Sequence, residues 1–205
     1  MSLETIELFI DEDNLKDGIE AISLVESPAI EENFVALNQH KVEFKTIDEE
    51  KRIVIGLALV PDKEIYRRQG EHEFNIVFSK DTVKKASELY LKRLKNNNAT
   101  LEHESEVKGV SVIESWIVED VKMDKSKLYG LNAVEGAWVV TMKIDNDEVW
   151  KDVKGGKYLG FSIEGFFSDQ LEKKEMSEEE ISEEDILADK MFEEIQAIIE
   201  KYENE

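Results

Sequence analysis

The sequence predicts a mostly β protein of the α+β class: a closed or nearly closed β-barrel surrounded by short helices and followed by an acidic C-terminal helix. Three observations predict it. Eight stretches of strand length alternate or run apolar, two others read as short helices, and the composition changes sharply near Asp169. The predicted division is a barrel domain over residues 1–168 and, over 169–205, an acidic linker with an amphipathic helix.

The strands come in order. Thr5 to Ile10 alternates, and so does Ile19 to Val25 before Ser27-Pro28 breaks it. Val42 to Ile47 and Arg52 to Val60 flank the polar turn Asp48-Glu49-Glu50, and Pro61-Asp62 ends the second. Phe74 to Phe78 is a short strand. Ser79 or Asp81 then caps a helix reaching about Leu94, with Val83, Ala86, Leu89, Tyr90 and Leu94 on one face and Asn96-Asn97-Asn98 as its stop. Val110 to Val121 and Ala137 to Ile144 are two more strands. Asp145 to Val153 reads as a short helix with Gly155-Gly156 after it, and Asp145-Asn146-Asp147 as its capping turn rather than a calcium loop. Tyr158 to Phe167 is the last strand. In the tail, Ser177 and Ser182 offer N-caps, and Leu187, Met191, Ile195, Ile198 and Tyr202 share one helical face.

Composition narrows function. At 205 residues and 41% hydrophobic content the chain can bury a core, and it has no apolar run of membrane-spanning length. The first residues show no basic-then-apolar leader, and cysteine is absent, which rules out disulfides, thiolate metal sites and a cysteine nucleophile. A formal net charge of −22 argues against general nucleic-acid binding and favours basic partners. From Asp169 on, 15 acidic and 4 basic residues give −11, half of the total. That tail reads either as a helix packed on the barrel or on a second copy, which admits a homo-oligomer, or as a segment delivering the protein to a basic partner surface. No membrane, nucleic acid, metal or cofactor is expected.

Two segments carry the chemistry. Thr100-Leu101-Glu102-His103-Glu104 puts a histidine in a polar loop, and Gly160-Phe161-Ser162-Ile163-Glu164-Gly165 puts a serine in a glycine-flanked strand. A hydroxyl becomes a nucleophile when a base takes its proton, and histidine is the usual base near neutral pH. The plain alternative is a solvated loop histidine and an ordinary strand serine with bulges at Gly160 and Gly165. The glutamates beside His103 would raise its basicity. His40 and His72 sit in charged segments that suit spectators better. The glycines do not match the nucleophile elbow of α/β-hydrolases, and there is no P-loop, dinucleotide glycine pattern or HExxH. A third group should orient the histidine. Glu164, two residues from Ser162 and so on the same strand face, is one candidate; Glu20, Glu26, Glu102 and Glu119 are others.

The ordered set VIGLALVPDKEIYRR, FNIVFSKDTVKKASELYLKRL, NNNATLEHE, VSVIESWIVED, LYGLNAVEGAWVVTMKI and GKYLGFSIEGFF resembles the prohead maturation proteases of tailed phages, especially the XkdF-type phage serine proteases. The resemblance implies His103 as base, Ser162 as nucleophile and a fold like that of the herpesvirus assembly proteases. In several relatives the third member is an acid on a strand after the serine, followed by Pro-Ala. Here the run from Gly18 to Ala29, which ends in Pro28-Ala29, looks like that element. This implies a circular permutation with Glu20, or else Glu26, as the acid. The function so implied is a serine endopeptidase cutting scaffold and major capsid proteins inside the assembling procapsid in the host cytoplasm. The competing class is a catalytically inactive scaffold or internal head protein on the same fold.

Overall fold

The computed structural model describes residues 3–11, 14–26, 45–48 and 51–169. In chain order they form β1 (Glu4–Phe9), β2 (Gly18–Val25), β3 (Lys45–Asp48), β4 (Ile53–Leu59), β5 (Ile65–Gln69), β6 (His72–Phe78), α1 (Lys80–Lys92), β7 (Ala99–Leu101), β8 (Ser105–Val107), β9 (Val110–Ile117), β10 (Trp138–Ile144), α2 (Asp147–Lys154), β11 (Gly160–Phe166) and β12 (Ser168–Asp169). The protein is therefore mostly β, of the α+β class. The predicted tail helix, the Ser27-Pro28 break and His40 lie outside the described residues.

The strands pair into three four-stranded sheets, ordered β12-β1-β6-β5, β3-β4-β10-β9 and β11-β2-β7-β8. Among the described residues these sheets do not close into the expected barrel. The reason is visible at the last strand. Glu20 is an extra residue of β2, unpaired between the Glu164–Ala21 and Gly165–Ile19 pairs, which makes β2 the bulged strand there; just beyond, the chain leaves that sheet and β12 pairs with β1. Gly165 is required there, since a Cβ would stand 2.3 Å from the Gly18 carbonyl oxygen. The connecting strands are also short: β7 and β8 have three residues each, too few to carry a readable period.

Both helices start as their sequence dictates. The Ser79 side chain accepts from the Thr82 N–H at 3.4 Å, and Asn146 Oδ1 accepts from Glu148 and Val149 at 3.0 and 3.1 Å. Val83, Ala86 and Tyr90 of α1 are buried, but Leu94 is not on that face: it follows the helix in a left-handed conformation and is 78% exposed. Tyr90 meets Trp138 of β10 edge to face at 5.4 Å, and both are fully buried. Burial of side chains this large is worth about 1.5–3 kcal/mol each. β9 stops at Ile117, short of the predicted Val121, because the chain from Asp120 to Asp124 turns on itself, the Met123 and Asp124 N–H groups donating to the Asp120 carbonyl. His72, expected in a charged segment, is the first residue of β6 and stacks on Phe74 at 5.3 Å.

β2 is the strand on which the spacing of the candidate residues depends. It lies between β11 and β7, antiparallel to the first and parallel to the second, and it is buried on both faces except at Glu20. An N-terminal strand thus separates the strand that carries Ser162 from the strand that leads to His103.

Candidate active site

β7 and β8 are joined by a tight turn in which Glu102 (φ 52°) and His103 (φ 60°) are both left-handed. That conformation is uncommon for residues with a Cβ, so the surroundings must hold it. The Glu104 N–H closes the turn on the Leu101 carbonyl at 3.0 Å. The other ties run to β2 and the residue after it. The His103 N–H donates to Ser23 Oγ at 3.0 Å, the Glu102 N–H to the Leu24 carbonyl at 3.1 Å, and the Glu26 N–H to the Glu102 carboxylate at 2.6 Å.

Across the sheet the register sets Ser162 of β11 beside Ser23 of β2, and Ser23 beside Thr100 of β7. Paired residues point to one face, so three hydroxyl side chains form a row under the His103 turn. Glu164, two residues beyond Ser162, shares that face. Its Oε1 lies 3.1 Å from His103 Nδ1 and also accepts from Thr100 Oγ1. Thr100 is buried and so fixes the carboxylate that faces the imidazole. A carboxylate at Nδ1 selects the tautomer with its proton there and leaves Nε2 as the acceptor. That Nε2 is buried and has no hydrogen-bond partner among the described residues.

His103, Ser162 and Glu164 all line one cavity of about 400 Å³, large enough for a side chain or two of a ligand. No hydrogen bond joins Ser162 Oγ to His103 Nε2. Of the acids considered as third member, Glu164 is the one on the imidazole. Glu20, favoured by the resemblance, ion-pairs with Lys95 in the 3₁₀ turn after α1 and is not among the cavity's lining residues. Glu102 holds the Glu26 N–H, and Glu119 is exposed in the loop after β9. Sequence reasoning missed Ser23 and Thr100. The signal for Ser23 was there: a single hydroxyl within the apolar stretch Ala21 to Val25, every residue of which is buried.

Among the described residues no cluster of His, Asp and Glu is arranged to hold a metal ion, and no helix is long and apolar enough to cross a membrane. A family model described as Putative phage serine protease XkdF matches residues 41–172, well over half of the chain. No curated protein and no solved structure matches it.

Proposed function

Because the chain belongs to the family Putative phage serine protease XkdF, we propose that it is a serine endopeptidase that cuts scaffold and major capsid proteins during phage head assembly, with Ser162 as nucleophile, His103 as base and Glu164 as the acid orienting the base. The observation that carries this reading is the pairing of a carboxylate at Nδ1 with a buried, unpartnered Nε2 in the cavity that Ser162 also lines. A herpesvirus-protease-like arrangement, with β2 as a permuted strand, belongs to the same proposal. It rests on the order of histidine before serine and on β2 lying beside β11.

In the proposed reaction Nε2 takes the Ser162 hydroxyl proton as Oγ attacks the scissile carbonyl. Glu164 stabilises the imidazolium. Backbone N–H groups along β11 hold the oxyanion, and Nε2 returns the proton to the leaving amine. Water then attacks the acyl ester by the same route and frees the serine. The Ser162 to His103 hydrogen bond closes only when a peptide excludes water, as unliganded sites often require. Substrates packed inside a procapsid reach high local concentration, so a site assembled by its substrate is sufficient there.

The test is co-expression with the neighbouring capsid protein, with and without Ser162→Ala, reading truncated capsid chains by mass spectrometry. The substitution should reduce cleavage by about 10³-fold or more. Undiminished truncation would remove Ser162 from the role of nucleophile. Absence of truncation with either protein would favour the non-enzymatic assembly role, to which the open Ser162 to His103 contact is also suited.

A further inference from the structure

The cavity beside Ser162 lies where the three sheets meet. Ile76 and Phe78 line it from the β12-β1-β6-β5 sheet, Ala58 and Leu59 from the β3-β4-β10-β9 sheet, and Ser162 and Glu164 from the β11-β2-β7-β8 sheet. Ala58, Leu59, Ile76 and Phe78 are buried members of the main hydrophobic core, yet they border about 400 Å³ of open space. Protein interiors are close-packed, and side chains facing such a space forgo dispersion contacts. An apolar side chain entering from a ligand leaves water and restores those contacts. An apolar cavity of about 150 Å³ takes one benzene, so this one has room for a leucine-sized or aromatic side chain and the backbone on either side of it. Lys63 and Arg67 line the cavity too, and each already interacts with other groups of the protein.

β4 is irregular at the point where it lines the cavity. Its partner β10 pairs Trp138 with Leu59 and the next residue, Val139, with Leu57, so Ala58 is an extra residue between them, a bulge. In a regular strand Ala58 and Leu59 would face opposite ways. Here both belong to the same core and both line the cavity, while Leu57 packs with Val139 in a separate apolar cluster. The bulge thus gives two consecutive residues to one wall. Ala58 has the smallest apolar side chain in that wall, and β4 packs against β11, the strand of Ser162. A larger residue at this position would take up the space a ligand needs.

We propose that the substrate is a peptide with a bulky apolar side chain, leucine or an aromatic, beside the bond to be cut, that this side chain occupies the cavity, and that Ala58 is the specificity-determining residue that sets its permitted size. The inference rests on the protease reading for the cut but not for the binding. A bulge that only bends β4 accepts any apolar residue in place of Ala58 with no change in what the protein binds. A bulge that shapes the pocket does not.

The experiment uses the full chain carrying Ser162→Ala and short fluorescent peptides of one unstructured sequence, alike except at a single central position that holds Ala, Leu or Phe. Binding is read by anisotropy, and thermal unfolding checks that each variant is folded. One methylene in an apolar pocket is worth about 10- to 200-fold, so the Leu and Phe peptides should bind at least about tenfold more tightly than the Ala peptide. Adding Ala58→Leu should remove that preference, weakening the Leu and Phe peptides by at least about tenfold and leaving the Ala peptide within about twofold. Ala58→Val, a smaller insertion, should move binding the same way by less, and it carries the test if Ala58→Leu does not fold. Equal binding of all three peptides to the protein with Ala58, a preference unmoved by substitution of Ala58, or a loss shared equally by the Ala peptide would overturn the proposal. The same peptides offered to the protein with Ser162 intact address the parent reading separately. Selective binding with no cut peptide would sink the protease and keep the pocket; cuts with no selectivity would do the opposite.

Discussion

Ser23→Ala is the most informative single change outside the proposed reacting groups. Ser23 is fully buried, and its Oγ accepts the N–H of His103 at 3.0 Å. Alanine fits the space but strands that N–H, at a cost of about 1–3 kcal/mol. The cost can be met in two ways. If the turn stays closed, the whole protein loses that stability. In a chain of this size that means about 2–4 °C of melting temperature per kcal/mol, or about 6 °C in the middle of the range. If the turn opens instead, the left-handed backbone of Glu102 and His103 relaxes and recovers about 1–2 kcal/mol per residue. Stability then barely moves, but the imidazole leaves Glu164 and the cavity, and cleavage falls. Thermal unfolding and kcat/KM on one peptide, measured together, separate the two. In either case one of them must change. If melting stays within about 1 °C and kcat/KM within about twofold of the parent protein, then the Ser23 tie does not hold the histidine, and β2 is no clamp on the His103 turn.

The carboxylates can be told apart by matched substitutions. Glu164→Gln should lower kcat by about 10²-fold or more, because the amide no longer favours the tautomer with a bare Nε2. Glu20→Gln, which only loses the Lys95 ion pair, should leave kcat within about twofold; the opposite ranking in a single-turnover assay would return the role to Glu20. Tyr90 offers a test at alkaline pH. Its hydroxyl is buried without a partner among the described residues, and burial holds the phenol above its ordinary range. The folded state therefore keeps its proton where the unfolded state, near pH 10, releases it. This contribution is fully present below pH 10 and is lost as pH rises above it. Tyr90→Phe should change stability at pH 7 by less than about 1 kcal/mol. Above pH 10 it should lessen the fall by up to about 1.4 kcal/mol per pH unit. Urea titrations at pH 7 and 11 that give parallel slopes for the two proteins would refute this.

What could be read from the sequence was whatever repeats over enough residues or whatever a cap encodes. The α2 start at Asn146 and the glycine beside the bulge, Gly165, are local chemistry, written in one or two residues. The site was partly legible for the same reason. Glu164 follows Ser162 by two, and strand geometry alone puts them on one face. The three sheets were not legible. Strand count and period say how many surfaces must be buried, but whether they close depends on which edges meet, and here a bulge and a two-residue strand decide it. Three-residue strands around His103 hid its turn, so the histidine read as a loop residue rather than as the corner of a clamped hairpin.

Because of this clamp, the site is encoded partly outside the segment that carries its chemistry. The family match begins at residue 41 and takes in Thr100, His103, Ser162 and Glu164. The groups that hold the His103 turn come from before it: Ser23 Oγ, the Leu24 carbonyl and the Glu26 N–H. β2 is also the strand that pairs β11 among the described residues. Without it, Ser162 would lose that ladder, and two left-handed residues would have lost three of the hydrogen bonds that offset their strain. A strand carrying none of the proposed reacting groups thus sets the distance between two that do. Every residue of β2 except Glu20 is buried, so small shifts in its packing pass directly to the spacing of His103 and Ser162.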